Sequence, residues 1–217
     1  MPVFYAPEIS PAAPTLPPDE SQHATRVLRM KENDALEVVD GKGNRFLAEI
    51  SSINPKQVSL RIIEVKTENK RSVHLHLAIG PTKNRDRIEW LIEKAVEIGV
   101  EKITLLRAEH SERAKINLDR LHRIMVAAMK QSKRSHLPEL HDLIATSQFW
   151  PQAEEKEKYI AHCIEGNKKG LNAIDGSDCV IAIGPEGDFS EREIEGTLAG
   201  GFVPLDLGDM RLRKETA

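Results

Sequence analysis

Three short stretches carry the residues best suited to holding a ligand. His162-Cys163 closes one apolar run. Gly184-Pro-Glu-Gly187-Asp-Phe-Ser190 lies between a second apolar run and a helix start. Leu207-Gly-Asp-Met-Arg-Leu-Arg-Lys-Glu-Thr-Ala217 brings Arg211, Leu212, Arg213, Glu215 and Thr216 together. Glycines at 184 and 187 let a backbone approach a ligand, and Pro185 stiffens the turn between them. The spacing matches neither G-x-G-x-x-G nor a P-loop, so phosphate cradling by those devices is not expected. Any tight strand-to-helix turn can carry glycine and proline, so these stretches count as a set rather than singly. His74 and His76 share one strand face, but no third ligand stands near them, and no metal site is expected. Cys163 has only His162 as a neighbour able to activate it. It is expected as a small packed residue beside the site rather than a nucleophile.

The surrounding elements must bring those stretches together. Six prolines fall in the first twenty residues, which predicts an extended or irregular arm. Residues 35–40, 45–50 and 58–65 read as strands, the first two joined by a hairpin turn at Gly41-Lys-Gly-Asn44. A polar linker at 67–72 follows, so residues 1–70 form one expected β domain and 73–217 a second domain. In the second, strands at 73–79, 102–106, 159–163, 179–184 and 202–207 alternate with helices. The helix at 84–98 places Ile88, Leu91, Ile92 and Ala95 on one face and ends at Gly99. Another at 118–132 buries Leu121, Met125 and Ala128, with Met129 as core filling, while Trp90 is expected to pack on its own helix. Ser190 and Glu193 form a capping box for a helix stopping at Gly200-Gly201. Alternating strands and helices predict an α/β fold with a mainly parallel sheet, whose ligands bind beyond the carboxyl ends of the strands.

Composition narrows the classes. The 217 residues are 40% hydrophobic and 30% charged, enough for a packed core, with no apolar run long enough to span a membrane. Two cysteines exclude a disulfide framework, and the first residues show no export leader, so a cytoplasmic protein without membrane contact is expected. The net charge of −3 hides two basic patches. Between Arg107 and His136 eight Lys/Arg face three acids, and Arg26, Arg29 and Lys31 stand in a stretch with none. Local potential of this kind keeps nucleic acid open as a partner.

The glycine turn with Phe189-Ser190 and Glu193, then Leu207-Gly208 and Leu212-Arg213-Lys-Glu-Thr-Ala217, resembles the RsmE family. Those are 16S ribosomal RNA uridine-N3 methyltransferases of the SPOUT (trefoil-knot) superfamily. His23-Ala-Thr-Arg-Val-Leu-Arg29, Lys83 leading into Glu93-Lys-Ala-Val-Glu-Ile-Gly99, Ser111-Glu-Arg113 and Gln131-Ser-Lys-Arg134 agree, in order, over nearly the whole chain. The resemblance implies a PUA-like β-barrel that helps hold RNA, a knotted α/β domain that binds S-adenosylmethionine, and a homodimer acting on 16S rRNA of the small ribosomal subunit. Two positions depart from the pattern. Asp188 stands where a second glycine is usual, and Lys214 where a threonine is usual. In the family a further helix follows Glu-Thr-Ala and completes the knot and much of the dimer contact; the sequence stops at Ala217, so that helix is apparently absent, and whether the chain truly ends there decides whether knot and dimer are complete.

On that resemblance, His162, Cys163, Gly184, Pro185, Glu186, Gly187, Leu207, Gly208, Arg211, Leu212 and Thr216 hold the cofactor, largely through main-chain groups. Methyl transfer from a sulfonium needs donor and acceptor close and aligned, and uridine N3 must also lose a weakly acidic proton. Arg213 is the candidate cation for the developing anion and Glu215 the nearest carboxylate for base or orienting work. Arg26, Arg29, Lys83, Arg113, Lys130, Lys133 and Arg134 form the expected RNA surface. A noncatalytic RNA-binding or ribosome-assembly factor on the same fold is the alternative, and cofactor binding separates the two.

Overall fold

The structure is a computed structural model that describes residues 1–54, 57–112, 115–176, 178–208, 213 and 215–216. It divides into two compact units, Met1–Lys70 with Val126–Leu137, and Arg71–Met125 with Pro138–Ala217.

The first unit is built on a four-stranded sheet in the order β1 (Val3–Tyr5), β2 (Ala35–Val39), β3 (Asn44–Asn54), β4 (Gln57–Thr67). The β2–β3 turn falls where Gly41 and Gly43 permit positive φ. The Asp40 carboxylate accepts the Lys42 and Asn44 N–H groups at 2.7 and 3.0 Å, local bonding typical of aspartate in turns. The proline-rich start is more ordered than its composition predicts. β1 pairs in parallel with β2, and Pro18 opens a short helix, α1 (Pro18–Gln22), which runs into a π-helical turn at His23–Val27. Phe4, Leu16, Leu36, Val38, Ile50 and Val58 are buried together, each contributing roughly 1.5–3 kcal/mol. Tertiary burial of Phe4 and Leu16 overrides the loop tendency of the prolines around them.

The second unit holds a seven-stranded sheet in which every described pairing is parallel. Its strands are β5 (His74–Ile79), β6 (Lys102–Arg107), β7 (Glu139–Ala145), β8 (Glu157–Ala161), β9 (Lys169–Gly170), β10 (Asp178–Ile183) and β11 (Val203–Asp206). They lie in the order β7-β6-β5-β10-β8-β11-β9. Helices α2 (Arg85–Ile98), α4 (Thr146–Phe149) and α5 (Glu191–Ala199) belong to this unit, as does α3 (Leu118–Gln131) as far as Met125, its remainder belonging to the first unit. Asn84 caps α2 by accepting the Asp86 N–H, and Gly99 ends it at φ 91°. Leu121, Met125, Ala128 and Met129 of α3 are buried. Trp90 is not the packing residue its helix position suggested: it is 44% exposed, because the buried stripe of α2 is Ile88, Leu91, Ile92, Ala95 and Val96. β7 is not visible in the sequence; among the described residues it pairs with β6 alone and is half exposed along its length, so it carries no clean alternation.

Candidate functional site

The parallel register sets the site. Ile183 of β10 and Leu205 of β11 both pair with Ala161, the last residue of β8. Three adjacent strands therefore end side by side, and their turns leave from one rim: His162-Cys163, Gly184 to Ser190, and Leu207-Gly208. Ligands of parallel sheets bind at such a carboxyl rim.

The Gly184–Ser190 turn is tied down on several sides. Gly80, at the end of β5, donates its N–H to the Ile183 carbonyl at 2.8 Å. A Cβ at Gly80 would lie 2.7 Å from the Pro185 nitrogen, so only glycine admits this approach. The Glu186 carboxylate accepts the Lys83 N–H at 3.0 and 3.2 Å. The His110 Nδ1 donates to the Gly187 carbonyl at 3.0 Å, which fixes that tautomer. A Cβ at Gly187 would come within 2.9 Å of the His110 Cβ, so this glycine serves packing against the loop after β6. Asp188, in the left-handed region at φ 61°, accepts the Phe189 N–H at 2.8 Å and, across the rim, the Cys163 N–H at 2.7 Å.

α5 starts immediately beyond. Its capping box has the expected form, with the Ser190 side chain accepting the Glu193 N–H and the Glu193 carboxylate accepting the Ser190 N–H. The same carboxylate also accepts the Glu109 N–H at 3.0 Å and the Thr146 hydroxyl at 2.6 Å. One side chain thus joins α5 to the loop after β6 and to the start of α4. Beneath it Phe149, Trp150, Phe189 and Phe202 meet edge-to-face with centroids 5.2–5.7 Å apart. A cavity of about 850 Å³ opens here, lined by Arg107, Ser111, Thr146, Trp150, Arg192 and Glu193 among others. None of His162, Gly184, Gly187 or Leu207 lines it, so it neighbours the glycine turns without being formed by them.

The His162 ring is half-buried, and neither nitrogen meets a hydrogen-bond partner of ordinary geometry among the described residues. Burial, then the Lys168 ammonium, lowers its pKa, while Asp188 and the Ile164 main chain pull the other way. A buried, unsatisfied imidazole costs about 1–3 kcal/mol and is relieved by a ligand that offers a donor or acceptor. Small residues, converging turns and an orphaned ring fit a nucleoside-bearing cofactor better than they fit a metal. No group of three metal-ligating side chains occurs among the described residues. His76 is instead a buried structural residue: its Nδ1 donates to Glu155 at 2.6 Å and its Nε2 accepts from Thr104 at 2.8 Å.

Cys163 is exposed rather than packed, and its N–H is held by Asp188. Gly208 has φ 112° and donates to the Asp206 carboxylate at 2.9 Å. Arg113, Arg211, Leu212 and Lys214 lie outside the described residues. Arg213 is exposed, and its carbonyl accepts the Thr216 N–H at 2.8 Å. Glu215 does not pair with Arg213; its carboxylate is 10% exposed and lies 3.5 Å from the Arg87 Nε of α2. Lys83 is exposed and bonded to Glu112 at 2.6 Å. In the first unit Arg26, Arg29 and Lys133 are exposed, whereas Lys130 is bonded at 2.6 Å to Glu20, and Arg134 is half-buried. Glu155, Thr104 and Asp188 escaped sequence reasoning as partners because each acts across a long sequence separation.

Fold and rim together define a class. Residues 69–217 match the RNA methyltransferase domain family, and residues 16–63 match the RNA methyltransferase PUA domain. The chain is 30% identical to the ribosomal RNA small subunit methyltransferase E of Bacillus subtilis, over 92% of this chain and 84% of that one. A crystal structure of a ribosomal RNA small subunit methyltransferase E from Neisseria gonorrhoeae, bound to S-adenosyl methionine, superposes with a TM-score of 0.86. That protein is 28% identical, with 100% of this chain and 93% of that chain covered. A probable rRNA-methyltransferase from Porphyromonas gingivalis superposes with a TM-score of 0.92 at 38% identity, again with 100% and 93% covered. The chain belongs to the ribosomal RNA small subunit methyltransferase E family.

Proposed function

We propose that this protein transfers a methyl group from S-adenosylmethionine to N3 of a uridine in 16S rRNA. It acts in the cytoplasm on the small ribosomal subunit, as a homodimer of knotted domains each preceded by a PUA-like RNA-binding domain. The observation that carries the reading is the in-register ending of β8, β10 and β11, which gathers three turns at one rim, one of them carrying a His162 ring with no hydrogen bond of ordinary geometry among the described residues. Relatives that methylate ribosomal RNA, one of them bound to S-adenosyl methionine, support it over a purely RNA-binding role.

The cofactor supplies an activated methyl group on a sulfonium; the chain supplies binding, alignment and proton handling. Main-chain groups of Gly184 to Gly187 and Leu207-Gly208, with Arg211, Leu212 and Thr216, hold the adenosyl and methionyl parts, and the His162 ring contributes a side-chain contact. Arg213, exposed beyond that rim, stabilises the uridine anion that forms as N3 loses its proton. Glu215 is held by Arg87 and is therefore better suited to orienting its loop than to taking a proton. Arg26, Arg29, Lys83, Arg113, Lys133 and Arg134 position RNA through its phosphates, with Lys130 contributing less because Glu20 occupies its charge.

The test is mapping of methylated nucleotides, by mass, on small ribosomal subunits from cells lacking the protein. One N3-methyluridine should disappear and return with the wild-type gene but not with Arg213→Ala. A complete methylation pattern in the deletion strain would remove the proposal.

A further inference from the structure

Asp188 occupies a backbone conformation that favours glycine, at φ 61°. Asp is among the few residues that tolerate it, but a position of this kind in a tight turn is filled by a larger side chain only when something offsets the strain. Here the offset is visible. One carboxylate oxygen accepts the N–H of the next residue, Phe189, at 2.8 Å, which stabilises the turn locally. The other reaches the neighbouring turn and accepts the Cys163 N–H at 2.7 Å, a charge-assisted bond that ties the end of β8 to the end of β10. Glycine at 188 would supply the first requirement, the dihedral, and neither bond.

The rest of the β8 turn is pinned as well. The Lys168 ammonium donates to the His162 carbonyl at 2.6 Å. The Cys163 N–H and the His162 carbonyl are therefore both engaged within the protein. What this turn still presents is the half-buried His162 imidazole, neither of whose nitrogens has a hydrogen bond of ordinary geometry among the described residues. Cys163, expected to meet the cofactor through its main chain, has given that N–H to Asp188.

We propose that Asp188 is a positioning residue: by bracing the β8 turn against the glycine turn of β10, it presents the His162 ring as the group with which that turn reads the bound cofactor. This deepens, and rests on, the methyltransferase reading above. Its consequence is specific. Loss of the brace frees the Cys163 main chain and lets the imidazole swing, so cofactor binding weakens while the RNA surface is untouched. Preorganisation of this kind is lost in affinity rather than in fold stability.

The experiment compares wild type, Asp188→Gly and Asp188→Asn by calorimetry with S-adenosylmethionine, thermal melting, and steady-state methylation of small subunits. Asp188→Gly relieves the dihedral strain but loses both carboxylate bonds, so the two effects oppose and its melting temperature should stay close to that of wild type. Its affinity for S-adenosylmethionine should fall about tenfold, matching loss of one charge-assisted hydrogen bond. The KM for S-adenosylmethionine should rise in step, with the KM for the ribosomal subunit unchanged. Asp188→Asn tolerates the same dihedral and keeps one acceptor oxygen, so it should recover part of the loss. A Gly variant that binds S-adenosylmethionine within twofold of wild type overturns the brace, as does an equal rise in both KM values. Should the Gly variant not fold, Asp188→Ala, which keeps neither acceptor, takes its place, and affinity within twofold of wild type there overturns the brace equally. A wild-type protein that binds no S-adenosylmethionine would instead remove the methyltransferase reading on which the brace rests.

Discussion

Replacing Glu193 by alanine should destabilise the second unit far more than loss of a helix cap. Its carboxylate accepts three hydrogen bonds, from the Ser190 N–H at 2.9 Å, the Glu109 N–H at 3.0 Å and the Thr146 hydroxyl at 2.6 Å. A capping residue alone contributes about 1 kcal/mol. Bonds to an ionised acceptor contribute roughly 1.5–3 kcal/mol each, but the site is partly open to water and the three share one group, so about 3 kcal/mol in all is the expected cost. At roughly 2–4 °C per kcal/mol for a chain of this size, the melting temperature should fall by about 6–12 °C. Ser190→Ala, which removes only the reciprocal half of the capping box, sets the scale for the local effect. Glu193→Gln should fall between the two, since its amide places one donor where two acceptors are needed. Denaturant titrations of the three variants measure these differences directly. If Glu193→Ala costs no more than Ser190→Ala, the carboxylate is only a cap and does not join α5 to the loop after β6 and the start of α4.

Other outcomes follow from the same structure. Burial lowers the His76 pKa; Glu155 is pushed up by burial, but the His76 hydrogen bond, its own main chain and the Lys102 charge bring it down to about 2. Folding therefore favours neutral His76 and ionised Glu155. Stability should be full above about pH 6.5, fall as the unfolded chain protonates its histidine, and fall again from about pH 4.5 toward 2. Glu155→Gln should flatten the lower part of that curve in denaturation measured across pH, and an unchanged profile would refute the assignment. Gly80→Ala drives a Cβ to 2.7 Å from the Pro185 nitrogen and should cost about 1–3 kcal/mol while weakening S-adenosylmethionine binding, as calorimetry can read. Arg213→Ala should abolish methylation with cofactor affinity within a few fold, and unchanged turnover would discard its role. Affinity for RNA should fall steeply with salt, and a flat response in filter binding would contradict a phosphate-contacting surface.

Particular elements show where sequence reasoning reached and where it stopped. The turn at Gly41 to Asn44, the α2 stripe from Ile88 to Ala95 and the Ser190–Glu193 box are local: a few neighbouring residues encode each, and each is present. The order around the proline arm was hidden because Phe4 and Leu16 are held by partners dozens of residues away. Trp90 is a large aromatic at a helical position, and only the packing of α2 reveals that it faces outward. Cys163 closes an apolar run, and only the folded chain shows that it is exposed, with its N–H bonded to Asp188, 25 residues later.

The amino-acid sequence by itself determined the alternation of strands and helices, the glycine and capping signals at the rim and the family pattern, because spacing along the chain carries periodicity, turn chemistry and ordered motifs. It could not determine that β8, β10 and β11 end in register, that Glu193 serves three elements, or that Asp188 spans two turns. Those depend on which strands lie beside one another, and in a parallel sheet neighbours are joined by long crossovers, so the pairing that assembles the site is decided only when the chain has folded.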